Sequence, residues 1–126
     1  MIAGPSTQDE AGGFLERIVS LYNTGVRTRD FRGLLSILTD DAVLDFEGVS
    51  ERAPLSGKAA IAQHFEDDPP DNCIRVKRWK MRGDEIVAEF TWTDIPEGGG
   101  CLLILTSEAH ASRITIALGG PDRRFR

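Results

Sequence analysis

Cysteine, histidine and basic charge are all scarce in this 126-residue chain, and each shortage excludes something. The two cysteines, Cys73 and Cys101, form no C-x-x-C pair, and no two histidines have zinc-module spacing. They read as small buried hydrophobes on strands rather than as a disulfide. Two histidines, His64 and His110, are too few for a His-rich metal site within one chain, so no metal ligand and no cofactor is assigned. No G-x-G-x-x-G, P-loop or G-x-S-x-G occurs, which removes the usual nucleotide-binding and hydrolase-elbow signatures. Lys and Arg number 15 against 20 Asp and Glu, a net charge of -5 without a basic stripe, so no nucleic acid partner is expected. No apolar run approaches the roughly 20 residues of a membrane span, so no membrane partner is expected either. Residues 1–6 lack the basic and apolar regions of a signal peptide, and the expected location is cytoplasmic.

What remains is ordinary globular composition, 40% hydrophobic and 28% charged. A chain of this length buries roughly two-thirds of its unfolded surface. One domain spanning 1–126 is expected, with residues 1–8 and 121–126 as mobile tails.

Apolar periodicity divides the chain into helices followed by strands. Thr7 and Glu10 have capping-box spacing. Phe14, Leu15, Ile18, Leu21, Tyr22 and Val26 then share one helical face, which predicts about five turns ending near Thr28. Asp30 caps a shorter helix with Phe31, Leu34, Leu35 and Leu38 on its buried side, broken by Thr39-Asp40-Asp41. Residues 42–46 read as a short strand and 47–55 as a polar loop. Ser56 caps a third helix over 57–66, with Ile61 and Phe65 as an i, i+4 pair, and the acidic, proline-containing run 66–71 stops it as a solvated turn. Strands follow at 74–81, 85–93, 101–109 and 113–118, with Arg82-Gly83-Asp84 as a turn and 96–100 as a flexible hairpin loop. Segregation of helices from an antiparallel meander is the α+β pattern, the helices covering one face of a curved sheet.

Several segments resemble the nuclear-transport-factor-2-like superfamily, most closely its SnoaL-like branch of polyketide cyclases and ketosteroid isomerase-like proteins. They are Phe14-Leu15-Glu16-Arg17 leading to Tyr22, Asp30, Leu38-Thr39-Asp40-Asp41-Ala42-Val43, Leu55-Ser56-Gly57-Lys58-Ala59-Ala60-Ile61 and Val87-Ala88-Glu89-Phe90-Thr91-Trp92. The resemblance covers residues 10–119. It implies a cone of mostly antiparallel sheet wrapped on three helices, a cystatin-like α+β barrel, with an apolar pocket inside and a homodimer formed through the convex sheet face. It also implies a chemistry, in which a carboxylate base moves a proton while a tyrosine and a protonated acid hold the enolate oxygen. Counting from Asp41, Tyr22 falls on the tyrosine. The base position falls on Phe46, one residue from Asp45, and the second donor position falls on Ile104.

Three residues are the catalytic candidates. Tyr22 is either a core aromatic or the donor to a developing oxyanion. His64, beside Phe65, is either a satisfied helix-end histidine or a general base whose ordinary pKa lies near working pH. Glu89 is the odd acid in a strand built for burial. The family's usual pattern turns it inward as a tuned base, whereas hydrophobicity alone turns Phe90 inward and leaves Glu89 to pair with Arg75 or Lys77. Phe46, Trp92, Leu102, Ile104 and Thr106 are the candidate substrate-binding residues. Trp79 reads equally as pocket wall or sheet-face packing, and Glu108 as a solvent-reaching strand end. Two functions are open. One is a cofactor-free isomerase, cyclase or hydrolase that moves protons on a small apolar or polycyclic molecule. The other is a non-catalytic ligand-binding or dimerisation module, favoured by the apolar Phe46 and Ile104. The enzyme reading requires Tyr22, His64 and Glu89 to face one cavity within roughly one hydrogen bond or one bridging water of each other, and fails if they do not.

Overall fold

A computed structural model describes residues 8–47, 53–95, 97–107 and 109–118. Thr7, and with it the capping box, lies outside these residues, as do both tails (1–7 and 119–126), most of the 47–55 loop, Pro96 and Glu108. The elements run α1 (Gln8–Thr28), α2 (Arg32–Ser36), β1 (Leu38–Glu47), β2 (Leu55–Ser56), α3 (Lys58–Asp67), β3 (Ile74–Arg82), β4 (Glu85–Trp92), β5 (Gly99–Ser107) and β6 (His110–Leu118).

The apolar stripe of α1 buries Phe14, Leu15, Ile18, Tyr22 and Val26. Asp9 and Glu10 in its first turn oppose the positive end of the helix dipole. The helix ends at Arg29, whose φ of 63° lets its N–H reach the Gly25 carbonyl at 2.7 Å. Asp30 then accepts from the Arg32 backbone N–H at 3.1 Å and grips the Arg32 guanidinium, and these bonds hold its carboxyl down at about 2. It opens α2 from one residue before the N-cap position, which Phe31 occupies.

One correction concerns the first strand. Leu38 is not the last buried position of α2 but the first residue of β1, and Thr39-Asp40-Asp41 continue that strand instead of breaking a helix. Leu38 pairs with Ala111, and pairing resumes only at Val43 with Arg113, so the polar residues between occupy a register shift that spares them burial. The fold class is the expected α+β one, a mostly antiparallel sheet with three helices. β1 lies parallel to β6, giving an open six-stranded mixed sheet in the order β2-β1-β6-β5-β4-β3. A meander supplies the four antiparallel strands β3 to β6, and β1 adds to it from the other end of the sequence.

Smaller differences follow from local geometry. Ser56 is in β2, paired with Val43, and the residue before α3 is Gly57, whose φ of 93° suits glycine. Gly99 and Gly100 belong to β5 rather than to a hairpin loop. A side chain on Gly99 would overlap the Phe90 carbonyl, and one on Gly100 the Ala117 carbonyl, so glycine is what lets β5 start this early. Strand β6 begins at His110, three residues before the expected start. Cys101 is buried on β5, Cys73 sits half-buried just before β3, and both are free thiols.

The sheet has two faces of different character. Ile86, Ala88, Phe90, Leu102, Ile104, Ile114 and Ile116 join the main core under the helices. Val87, Cys101, Leu103 and Ala117 form a separate cluster on the far face. Asn23 on α1 fastens the helix layer to the sheet, because its amide donates to the Ile74 carbonyl at 3.0 Å and accepts from the Ile74 N–H at 2.8 Å.

Candidate functional site

A cavity of about 260 Å³ lies between the helices and the near face of the sheet. Helix α1 contributes Ile18, Val19 and Tyr22, α2 contributes Leu34, and α3 contributes Ile61, His64 and Phe65. From the sheet come Leu38, Val43, Leu44 and Phe46 on β1, Leu102 on β5, and Ile114 and Ile116 on β6. Residues 68–71, exposed or half-exposed, close the circuit as its open end, next to Ile74. The Asn23–Ile74 clamp fixes where this loop rejoins the sheet, and so where the open end stands relative to Tyr22.

Three aromatic contacts hold the wall in shape. Phe31 stacks on Phe65 with ring centroids 4.4 Å apart and meets Tyr22 edge-on at 6.3 Å. Phe46 packs against the His64 imidazole at 5.6 Å. Tyr22 is 7% exposed, and its hydroxyl makes no hydrogen bond among the described residues. Burial pushes its phenol well above the ordinary pKa, and electrostatic interaction with Cys73 and Asp71 pushes the same way. The phenol is therefore a neutral donor, set in a wall of aliphatic and aromatic carbon.

Of the three catalytic candidates, Tyr22 and His64 line this cavity together and Glu89 does not, so the convergence of all three that the enzyme reading required is not met. Glu89 is opposite Cys101 in the ladder and shares its far face, on the other side of the sheet from the helices. There its carboxylate meets Arg78 at 3.3 Å and Lys77 at 3.7 Å. Hydrophobic alternation sets this register: Ile86, Ala88 and Phe90 turn to the core, and Glu89 has to turn away. Asp45 likewise faces outward, paired with Arg113 at 2.9 Å, and Phe46 turns in.

The substrate-binding candidates divide as well. Phe46 and Leu102 line the cavity. Ile104 is fully buried in the core beyond it, and Trp92 packs edge-on against Phe90 at 5.0 Å; neither reaches the cavity wall. Thr106 is at the far end of β5, where its hydroxyl donates to the Asp84 carbonyl at 3.1 Å across the β3–β4 turn. Trp79 stands against Gly12 in a groove between α1 and β3, outside the cavity. Sequence reasoning treated 66–71 only as a solvated turn and so missed Asp68 and Asp71 at the opening. The one available signal was Pro69-Pro70, which stiffens the chain just after α3.

The sequence model of the SnoaL-like domain family matches residues 18–116, most of the chain and every wall of the cavity. The chain belongs to the SnoaL-like domain family. Solved structures agree on the fold of this SnoaL-like domain. A candidate ketosteroid isomerase from Kribbella flavida is 18% identical, with a TM-score of 0.59 over 82% of this chain and 78% of its own. An NTF2-like protein from Anabaena variabilis reaches a TM-score of 0.68 at 13% identity, covering 94% of this chain and 98% of its own. A protein of ketosteroid isomerase-like fold from Catenulispora acidiphila, solved in complex with trimethylamine, is 12% identical, with a TM-score of 0.59 over 78% and 82% of the two chains. No curated protein matches. Among the described residues no helix of the SnoaL-like domain is long and apolar enough to cross a membrane, and no three His, Cys, Asp or Glu side chains group to hold a metal ion.

Proposed function

We propose that the cavity binds a small, mainly apolar molecule carrying one hydrogen-bond acceptor, held by the Tyr22 hydroxyl, and that proton transfer on that molecule falls to His64. The observation that carries this reading is the Tyr22 hydroxyl itself. It is buried, without a hydrogen-bond partner among the described residues, on the wall of an otherwise apolar space. A buried donor left without a partner is costly, so a fold that keeps one gains most when a ligand supplies the acceptor. Low polarity around that bond strengthens it and favours a polarised carbonyl over a bulk-solvated one. His64 is the second polar group on the same wall, and an imidazole is the side chain best matched to proton transfer near neutral pH. The relative with trimethylamine in its structure supports a small molecule as occupant.

The test uses planar ketones and phenols observed by ligand-detected NMR. Binding should weaken in Tyr22→Phe and persist in His64→Gln. Exchange of a bound ketone's α-protons for deuterium should be catalysed by the unmodified protein and lost in His64→Gln. Binding without exchange in the unmodified protein favours the second reading, a non-catalytic ligand-binding module. Phe46 and Ile104 support that alternative, being apolar where the resemblance puts the base and the second oxyanion donor. We further propose a homodimer through the far sheet face. Its support is the resemblance; the apolar centre of that face, Val87, Cys101, Leu103 and Ala117, is at most 7% exposed within the chain, so the contact would fall on the flanking charged pairs Arg78–Glu89 and Arg113–Asp45. Sedimentation equilibrium checks it, and a monomer at 100 μM (about ten times a micromolar-range threshold) would reject it.

A further inference from the structure

The open end of the cavity differs in charge from its interior. Asp68 and Asp71 stand exposed on either side of Pro69 and Pro70, and among the described residues lining the cavity there is no lysine or arginine. Beyond them the wall becomes Ile, Leu, Val and aromatic carbon with the His64 imidazole, and Tyr22, a residue more than nine-tenths buried, holds a hydroxyl without a partner among the described residues. The two regions are electrostatically connected, since Asp71 is among the charges that act on the Tyr22 phenol.

We propose that the occupant of this cavity is a cationic amphiphile, an amine or quaternary ammonium on a small apolar body. The inference rests on the reading of the cavity as a ligand site and names the class of ligand. Among the described residues, a carboxylate or phosphate would enter past two carboxylates with no lysine or arginine on the wall to receive it, a like-charge arrangement. A cation is favoured by the same field. Its head stays at the hydrated opening beside Asp68 and Asp71 and avoids the cost of full desolvation, while its body fills the interior. Tyr22 then meets whatever acceptor the body carries.

Three probes of one shape test this: benzyltrimethylammonium, its uncharged carbon isostere neopentylbenzene, and the anion 3-phenylpropanoate. Dissociation constants come from protein chemical-shift titrations at low salt. The cation should bind at least about fivefold tighter than the isostere, the factor that one unit charge at about 4 Å supplies in bulk water, and the anion weakest. In the Asp68→Asn/Asp71→Asn double variant the cation should fall to parity with the isostere, whose own affinity stays unchanged. Should the double variant not fold, Asp71→Asn alone must remove part of the preference. Equal binding of cation and isostere to the unmodified protein, or a preference that survives the substitutions, overturns the charge assignment. The cavity reading survives that result if Leu102→Trp abolishes isostere binding. Failure of all three probes to bind overturns both.

Discussion

Replacing Tyr22 by Phe should make the protein more stable and its ligand bind more weakly. The substitution keeps the ring, and with it the edge contact to Phe31 and the packing on α1, and removes only the hydroxyl. Burying a hydroxyl without a hydrogen bond costs about 1–3 kcal/mol in proteins. Because this one borders a cavity large enough to admit water, the lower end applies, and Tyr22→Phe should gain ~1 kcal/mol, or about 3–5 °C in Tm for a chain of this size. Loss of the donor should weaken a ketone or phenol ligand roughly tenfold, the upper range for one neutral hydrogen bond. Urea denaturation and ligand titration of the same two proteins give both numbers. A further readout is available because the chain has one tyrosine, so phenolate absorbance reports on Tyr22 alone. The folded phenol is held above the ordinary value, so between about pH 10 and that higher value the unfolded chain has lost a proton that the folded chain keeps. Stability from this group is therefore full below pH 10 and declines as pH rises above it. Native protein should show no phenolate at pH 10.5, and the signal should appear together with unfolding. A Tyr22→Phe variant less stable by ~1 kcal/mol or more, or a phenol titrating near 10 in the folded state, would refute the reasoning.

Other substitutions test the surroundings of the cavity. Gly25→Ala should destabilise by ~1–2 kcal/mol in urea denaturation despite the better helix propensity of alanine, because the new methyl would overlap the Phe31 ring that supports Tyr22 and Phe65. Asn23→Ala should cost ~1–3 kcal/mol, since it leaves the Ile74 backbone N–H and carbonyl without their partner, and amide exchange at Ile74 should accelerate. Glu89→Gln should change stability by under ~1 kcal/mol and leave ligand affinity untouched, its partners being exposed cations on the far face. A loss of binding in Glu89→Gln would mean that the sheet register at β4 is wrong by one residue.

How much of this was legible in the sequence depends on the range of the interaction. The faces of α1 and α3 follow from local periodicity: of the residues their spacing selects, all are buried except Leu21, which is half-buried, while the small Ala11 and Gly25 are buried without being selected. The inward face of β4 was legible too, but only to hydrophobicity. Counting by family pattern turned Glu89 inward, while Ile86, Ala88 and Phe90 carry far more apolar area and determine the outcome. What escaped depends on partners distant in the chain. The parallel pairing of β1 with β6 joins residues about seventy positions apart, and nothing near Thr39-Asp40-Asp41 announces a strand that resumes its register at Val43. Strand β2 has two residues, too few for any periodicity, and exists because Val43 and Leu44 lie beside it. Asn23 reads as an exposed helical polar residue until Ile74, fifty-one residues later, is placed against it.

The register at β1 and β4 also narrows the chemistry. Asp45 and Glu89, the strand acids weighed as possible bases, both face outward and are paired with arginine. Turning either inward would require a one-residue slip that carries Leu44 and Phe46, or Ile86 and Phe90, out of the core, at roughly 1.5–3 kcal/mol for each large side chain exposed. No ligand contact of ordinary strength offsets two such losses, so induced fit by strand slippage is closed to this fold. The polar groups on the cavity wall are then Tyr22 and His64 inside and Asp68 and Asp71 at the opening. A carboxylate exposed to water is a weak base, and among the described residues lining the cavity no carboxylate is buried. Under the proposed function, proton abstraction within the cavity is therefore assigned to the imidazole of His64, with Phe46 packed against it at the position where the resemblance puts the carboxylate base. An isomerase of this arrangement would have exchanged an aspartate base on the strand for a histidine base on the facing helix. The His64→Gln exchange experiment decides between that arrangement and a cavity that only binds.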